Sequence, residues 1–351
     1  MIKKKNAITT AVIGLGRIAW SDHLPVLANS PDYKLVAIVD PSAERRNETI
    51  TEFQVPAGFA TPEEMYSQIV PDLTVIASPT CFHARQTVLA LKHGSHVFCD
   101  KPVAMNYDEA QTMFDAARRY DKKLVVYQPR RFFADVTAAR SILASGKLGK
   151  IFQIKLFVGD FIRRNDWQAL SKNGGGMLSN YGAHYIDELL YLLHEHLTLR
   201  YCRLDRILSL GDAEDVVKLV LESESGILLD IDINQATALE SPGWRIYGNS
   251  GTAENYGSDW RVRYCNPAEL SKIELYDIAA VRERHYPSEQ VKWYEERFSL
   301  PQAPSAAQIY YDRLQETIRD NAPPAVSEAE TLELISLIDQ ARINAAGQRP
   351  D

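Results

Sequence analysis

The sequence has few cysteines, no excess of basic residues and no apolar run long enough to cross a membrane. Its four cysteines are far apart, which favours reduced thiols over a disulfide framework or a zinc site. The net charge of −7 offers no basic surface to a nucleic acid or an anionic membrane. We therefore expect a cytoplasmic protein of 351 residues with no metal site and no nucleic-acid or membrane partner.

Two local features, one resembling a signal peptide and one a metal site, are given no function. The basic run Lys3-Lys4-Lys5 precedes a short apolar segment and not a long h-region, so it predicts a solvated tail instead of a signal peptide. His194-Glu195-His196 closes an apolar helix, where histidines complement the helix dipole, and lacks the spacing of a zinc protease.

A glycine-rich turn organises the first third of the chain. The apolar, β-branched run over residues 8–13 is typical of a buried strand, and Gly-x-Gly-x-x-Ala follows it. The first glycine allows a tight turn, the second lets a pyrophosphate approach the backbone, and Ala19 lets the next helix lie close to the strand. The start of that helix faces the phosphates, so the predicted cofactor contacts here are Gly14, Gly16, Arg17 and Ile18.

An acidic residue closes the second apolar run. Asp40 follows residues 35–39, about twenty residues after the turn, where a carboxylate accepts hydrogen bonds from the adenosine ribose. This position favours NAD. Arg45 and Arg46 lie just beyond it and keep NADP open as an alternative, although the acid itself repels a 2′-phosphate.

Strand and helix signals alternate up to residue 127 and predict a doubly wound parallel sheet of the Rossmann type. The pattern then changes to a long strand over 151–159, a helix near 181–193, a hairpin over 216–233 and two closing helices near 305–320 and 327–345. We predict an α/β fold with a dinucleotide-binding domain over 1–127. An α+β domain over 128–351 would carry a second, largely antiparallel sheet and bind substrate.

Four motifs in order resemble those of the Gfo/Idh/MocA oxidoreductases, the group named for glucose-fructose oxidoreductase and inositol dehydrogenase. They are Gly14-x-Gly16-x-x-Ala19 with His23 after it, Ser78-Pro79-Thr80-x-x-His83, Asp100-Lys101-Pro102 where the family usually has Glu-Lys-Pro, and Gly174-Gly175-Gly176 followed by His184. The resemblance covers nearly the whole chain. It implies hydride transfer between NAD(H) and a secondary alcohol or carbonyl of a sugar, polyol or related compound.

The resemblance also implies further site residues and an assembly. The additional cofactor contacts that it implies are Ser78, Pro79, Thr80, His83, Asp100 and Lys101. The second sheet would be open and mixed, and its exposed face commonly forms the subunit contact in the family. We therefore expect a homodimer or homotetramer assembled through the C-terminal sheet.

The chemistry assigns roles to three residues. Oxidation of a secondary alcohol needs a base for the hydroxyl proton, and a neutral imidazole suits this near pH 7, so His184 is the candidate base. Lys101 follows the fifth strand at the carboxyl edge of the sheet, where its ammonium can hold the substrate oxygen. Asn180 stands where the family often has aspartate, and helical spacing predicts that it shares a face with His184 without supplying charge.

Substrate contacts and the reaction class are less constrained. Arg131, Trp167 and Tyr181 are candidate substrate residues, and Arg130, Arg163 and Arg164 add cations that suit an acidic substrate. Two alternatives stay open: an NADP-dependent reductase of the same family, and a regulator that binds the dinucleotide without turnover. The departures at Asp100 and Asn180 favour the regulator, whereas the intact Lys101 and His184 argue against it.

Overall fold

The computed structural model describes residues 6–273, 275, 289–300 and 305–347. Within these ranges the chain forms two sheets with helices packed on them. The run Lys3-Lys4-Lys5 lies outside the described residues. All four cysteines are unpaired thiols. In the described part of the chain, no helix is both long and apolar enough to span a membrane.

The first sheet has six parallel strands within the described residues. Its strands are β1 (Ile8–Ile13), β2 (Tyr33–Val39), β3 (Gly58–Phe59), β4 (Leu73–Ile76), β5 (His96–Asp100) and β6 (Leu124–Tyr127). The helices between them are α1 (Leu24–Asn29), α2 (Ala43–Phe53), α3 (Pro62–Tyr66), α4 (His83–Lys92) and α5 (Tyr107–Arg119). The predicted doubly wound parallel sheet is confirmed.

The strand order β3-β2-β1-β4-β5-β6 determines where a ligand can bind. The order reverses between β1 and β4, and ligands of such sheets bind in the crevice at the carboxyl ends of the strands on either side of that point. The loops after β1, β4 and β5 therefore share one edge. These loops carry the glycine-rich turn, the segment Ser78–Thr80 and Lys101.

Helix starts in this half follow the local sequence. The hydroxyl of Ser42 accepts a hydrogen bond from the amide of Arg45 at the start of α2, and Thr61 does the same for Glu64 at the start of α3. The side chain of Asn106 accepts from Glu109 N at 2.9 Å before α5. Each cap satisfies an amide that has no partner inside the helix, which explains why these boundaries were predictable.

The second sheet is mixed, and in the described residues it has eight strands. They are β7 (Ile151–Gly159), β8 (Leu197–Asp205), β9 (Val216–Ser223), β10 (Leu228–Asn234), β11 (Trp244–Gly248), β12 (Gly251–Tyr256), β13 (Asp259–Tyr264) and β14 (Tyr294–Ser299). The predicted hairpin is β9 with β10, which pair antiparallel, whereas β10 and β7 pair in parallel. The remaining helices are α6 (Ala134–Ala144), α7 (Ala183–Leu193), α8 (Ala306–Asp320) and α9 (Glu328–Gly347).

The two closing helices pack on different parts of the molecule. Helix α9 contacts β8, α5 and α7, so it bridges elements around both sheets. Helix α8 returns to the first sheet, where the buried rings of Tyr310 and Tyr311 join a core cluster with Leu24, Val75 and Phe98. The chain after the second sheet therefore completes the core beneath the first.

Candidate active site

The turn after β1 is shaped for a close backbone approach. Gly14 has φ of +90°, a conformation that side chains disfavour, and a Cβ there would lie 2.6 Å from the amide nitrogen of Ser78. A Cβ placed on Gly16, by contrast, would meet no atom within 4 Å. The first glycine thus packs the turn against the loop after β4, and the second leaves open space over the backbone. That space fits the pyrophosphate of a dinucleotide.

Asp40 is held at the end of β2 by two backbone amides. Its Oδ2 accepts from Leu15 N at 3.0 Å, and its Oδ1 accepts from Ser42 N at 2.9 Å. Each carboxylate oxygen has a second lone pair, so both can also accept a ribose hydroxyl. The Nη1 of Arg45 lies 3.8 Å from Oδ2, while Arg46 donates to the carbonyl oxygens of Asp40 and Pro41. The residues present therefore fit NAD.

Lys101 is held by one residue of the neighbouring segment. Its Nζ donates to the main-chain oxygen of Asn180 and to the side-chain Oδ1 of Asn180, both at 2.9 Å. An ammonium has three N–H donors, so one remains for a substrate oxygen. Burial lowers the pKa of Lys101 to about 7, the charge of Asp100 opposes that effect, and nearby arginines add to it. Lys101 thus changes charge within the working range of most enzymes.

His184 is the second residue of α7 and lies half-buried. Burial lowers its pKa well below the usual value, and the positive charges of Lys101 and Arg130 lower it further. The imidazole is therefore neutral near pH 7. Its Nδ1 is buried without a hydrogen-bond partner among the described residues, a rare state for a polar atom in a core. A neutral ring close enough to feel Lys101, with an unused nitrogen, is suited to accept a proton.

Two family descriptions match the chain. The "Oxidoreductase family, NAD-binding Rossmann fold" of the Gfo/Idh/MocA group matches residues 8–128, and the "GFO/IDH/MocA C-terminal domain" matches residues 136–254. The chain belongs to the Gfo/Idh/MocA family. The resemblance stated from the motifs is confirmed, and so are the assignments to NAD-binding oxidoreductases and to a Rossmann fold.

Relatives and solved structures agree with this assignment. The chain is 30% identical over 200 residues to D-glucoside 3-dehydrogenase of Escherichia coli, an alignment that covers 54% of this chain and 56% of that protein. It is 24% identical over 324 residues to myo-inositol 2-dehydrogenase of Thermotoga maritima, covering 90% of each. Its fold is similar to that of an NAD-binding protein from Listeria innocua, with TM-score 0.82, 22% identity and coverage of 98% and 96%.

In this Gfo/Idh/MocA protein the side chain of Asn180 makes its hydrogen bonds with residues other than His184. Its amide Nδ2 donates to Gln168 Oε1 at 3.4 Å, and its Oδ1 accepts from Lys101. Asn180 lies in the π-helical turn Leu178–Gly182 that precedes α7. Because a π-helical turn is wider than an α-helical one, a spacing of four residues is a poorer guide to shared faces there.

The contact between Lys101 and Asn180 determines the expected effect of Asn180→Asp. A carboxylate 2.9 Å from Nζ favours the charged form of Lys101 and raises its pKa above about 7. Because the ammonium would then persist to higher pH, the alkaline limb of kcat/KM should move up by about one pH unit. Asn180→Gln, which adds no charge, serves as the control in the same pH titration. An alkaline limb that stays in place would contradict the contact.

His83 uses both ring nitrogens within the protein. It is 1% exposed, its Nε2 lies 2.7 Å from the carbonyl oxygen of Ser78, and its Nδ1 lies 3.0 Å from that of Pro102. The histidine thus connects the loop after β4 to the segment that follows Lys101. This contact fixes the two loops relative to one another, and direct cofactor contact of His83 stays a prediction.

The glycine run before His184 packs against protein atoms. Gly174 has φ of +79° and a Cβ there would lie 2.7 Å from Thr80 Cβ, while Gly175 and Gly176 lie against Gln168 and Glu214. Close contact between segments of the chain therefore requires these glycines.

The three candidate substrate residues differ in availability. Arg131 is 3% exposed and uses all three nitrogens, with Asp187 at 2.7 and 2.8 Å, Glu330 at 3.0 Å and a main-chain carbonyl. It is a buried ion-pair residue, which corrects its assignment to substrate binding. Trp167 is 39% exposed in a short 3₁₀ turn, and Tyr181 lies half-buried in the π-helical turn. Both stay candidates.

Two residues near the site, Gln168 and Glu188, were not assigned from the sequence. Gln168 Oε1 accepts from Asn180 and from Arg164, which links the loop before the glycine run to Lys101 through Asn180. Arg130 pairs with the buried Glu188, one turn beyond His184. A signal for that pair was present, because two adjacent acids in an apolar helix need cationic partners if they are buried.

Proposed function

We propose that this protein transfers a hydride between NAD(H) and a secondary alcohol or carbonyl of a sugar, polyol or related compound. The observation that carries the proposal is the pairing of Lys101 with His184. A lysine whose pKa is about 7 lies close enough to lower the pKa of a neutral histidine, and Nδ1 of that histidine has no hydrogen-bond partner among the described residues. Such pairs of shifted groups at the ligand-binding edge of a sheet mark sites of proton transfer.

The residues divide the work in the direction of alcohol oxidation. NAD, when bound, supplies the hydride acceptor. The third N–H of Lys101, the one that Asn180 leaves free, donates to the substrate hydroxyl oxygen and stabilises the charge that develops on it. Neutral His184 accepts the hydroxyl proton. In the reverse direction the protonated imidazole returns that proton to the carbonyl oxygen.

A substrate screen tests this function. Sugars, polyols and nucleotide sugars are incubated with the enzyme and NAD, and NADH formation is recorded. We expect turnover with at least one class, and its loss in a Lys101→Met enzyme. NAD binding without turnover on any class would favour the regulator.

The cofactor preference is tested at Asp40. NAD should bind more tightly than NADP, because the Asp40 carboxylate accepts from ribose hydroxyls and repels a 2′-phosphate. Asp40→Ser removes that repulsion, so the ratio of the two dissociation constants should narrow or invert. Glu44→Ser, four residues on, is a control that also removes one acid. A parent enzyme that prefers NADP would contradict the assignment.

The domain boundary and the assembly are also part of the proposal. We place the boundary after Tyr127, where β6 ends, and the subunit contact on the second sheet in a cytoplasmic homodimer or homotetramer. Charged residues pair across neighbouring strands of that sheet, including Lys218 of β9 with Asp230 of β10 and Arg245 of β11 with Glu254 of β12. Light scattering should give a dimer or tetramer mass, which Lys218→Glu should reduce and Lys172→Glu should not. A monomeric parent would rule this assembly out.

A further inference from the structure

A buried hydrogen-bonded chain ends one residue before Lys101. The Nε2 of His23 lies 3.0 Å from Oδ1 of Asp100, and its Nδ1 lies 2.9 Å from the hydroxyl of Tyr311. His23 is 1% exposed and Tyr311 is fully buried. Asp100 was expected to contact the cofactor and His23 had no assigned role. The structure instead joins them in one cluster.

The chemistry of the three groups gives the direction of the hydrogen bonds. An ionised carboxylate can only accept, so the proton of the imidazole lies on Nε2 and is donated to Asp100. In a neutral imidazole Nδ1 is then an acceptor, which the Tyr311 hydroxyl satisfies by donating to it. This arrangement provides a partner for both ring nitrogens of His23. It also gives the buried carboxylate a dedicated donor.

Aromatic rings also pack against the imidazole of His23. The ring centroids of Phe98 and Tyr127 lie 5.6 and 4.9 Å from that of His23. Tyr311 is anchored in turn, because its carbonyl oxygen accepts from the hydroxyl of Tyr33 at 2.7 Å. His23 ends the π-helical turn after the glycine-rich loop, Asp100 ends β5, and Tyr311 belongs to α8. Three separate elements thus set the position of one carboxylate.

The charges around Lys101 show what that carboxylate does. Asp100 favours the ammonium form of Lys101, whereas Arg17, Arg130 and Arg164 disfavour it. His184 also faces Lys101, because the charge of Lys101 lowers the pKa of His184. The groups that face Asp100, His23 and Tyr311 in addition to these are Asp22, Tyr33, His83, Cys99 and Tyr127.

We propose that His23 and Tyr311 are positioning residues for the reaction, which hold the Asp100 side chain in place so that it favours the ammonium form of Lys101 when substrate binds. The proposal rests on the role of Lys101 proposed above. It assigns His23, in the helix after the glycine-rich turn, to tuning the catalytic cation from inside the core. Neither residue touches substrate.

The first test removes single hydroxyls from the cluster. Tyr311→Phe deletes the donor to His23 and keeps the ring, and it should move the alkaline limb of kcat/KM to lower pH. Tyr127→Phe is the matched control, because Tyr127 is equally buried but its hydroxyl donates to Asp22. That variant should leave the limb in place. NAD affinity should be unchanged in both.

The second test removes the imidazole. Without a donor a buried carboxylate is disfavoured in its charged form, so His23→Phe should lower the alkaline limb by about one pH unit. His23→Gln, whose amide can donate from near the position of Nε2, should restore most of the shift. A disruption of packing alone would not be rescued in this way.

A double-mutant cycle connects both tests to Asp100. Tyr311→Phe should have no further effect on the limb in an Asp100→Asn background, because the charge it acts through is already gone. This cycle tests the proposed role of Asp100 even if the His23→Phe variant does not fold. The proposal is overturned if the alkaline limb of kcat/KM lies at the same pH in the parent, Tyr311→Phe and Tyr127→Phe enzymes. It is also overturned if Tyr311→Phe still shifts that limb in the Asp100→Asn background. The failure of the proposed function looks different: Lys101→Met would then retain turnover.

Discussion

Replacing Lys101 with methionine should lower kcat by about 10²–10³-fold, the size of effect seen when one preorganised donor to a developing oxyanion is removed. Methionine keeps the length and apolar stem of the side chain but has no N–H. The substrate oxygen then loses its charge-bearing donor at the moment when negative charge develops. Steady-state kinetics with the best substrate from the screen would measure the change.

The affinity for NAD should survive this substitution. The residues that we expect to hold NAD lie on other loops than Lys101. The open backbone over Gly16 follows β1 and Asp40 follows β2, whereas Lys101 follows β5. Lys101 also donates twice to Asn180, so melting temperature should be compared to exclude a loss of fold. Lys172→Met, an exposed lysine in a nearby 3₁₀ turn, is the control. Residual activity within about tenfold, or about 1.4 kcal/mol of barrier, would be too much for the assigned role.

Local sequence patterns were sufficient for much of the fold. Strands β1, β2, β4, β5 and β6 are apolar runs bounded by turns, and the caps at Ser42 and Asn106 mark helix starts within a residue or two. The β9–β10 hairpin was predictable from alternating apolar and polar residues on either side of a short turn. The parallel pairing of β7 with β10 joins segments that are far apart in the chain, and no local pattern carries such information.

The site was partly predictable for the same physical reason. The carboxyl ends of parallel strands share an edge, so the placement of Lys101 after β5 followed from topology once the strands were known. The partner of Asn180 did not follow, because a π-helical turn cannot be distinguished from an α-helix by periodicity over a few residues. Arg131 was misassigned, and the link that His83 makes between two loops was not foreseen, because burial decides their roles. Burial depends on packing between distant segments.

Substitution of His184 distinguishes a general base from a structural histidine. His184→Ala should lower kcat/KM for alcohol oxidation by about 10²–10⁴-fold, since that is what a positioned general base contributes. The ring is half-buried and Nδ1 has no hydrogen-bond partner among the described residues, so removal of the ring breaks no hydrogen bond at that atom. Stability should change little compared with activity. His196→Ala removes an exposed histidine paired with Glu333 and serves as the control.

The pH profile of the parent enzyme gives the same residue a second test, with a definite sign. Burial and the charges of Lys101 and Arg130 hold the pKa of His184 well below its usual value, so the neutral form needed to accept a proton is present down to that low pKa. The acidic limb of kcat/KM should therefore lie below pH ~6.5, the ordinary histidine value, and should vanish in His184→Ala. The alkaline limb belongs to Lys101, whose ammonium is lost as pH rises through about 7. An acidic limb that survives in His184→Ala would assign the base to another group.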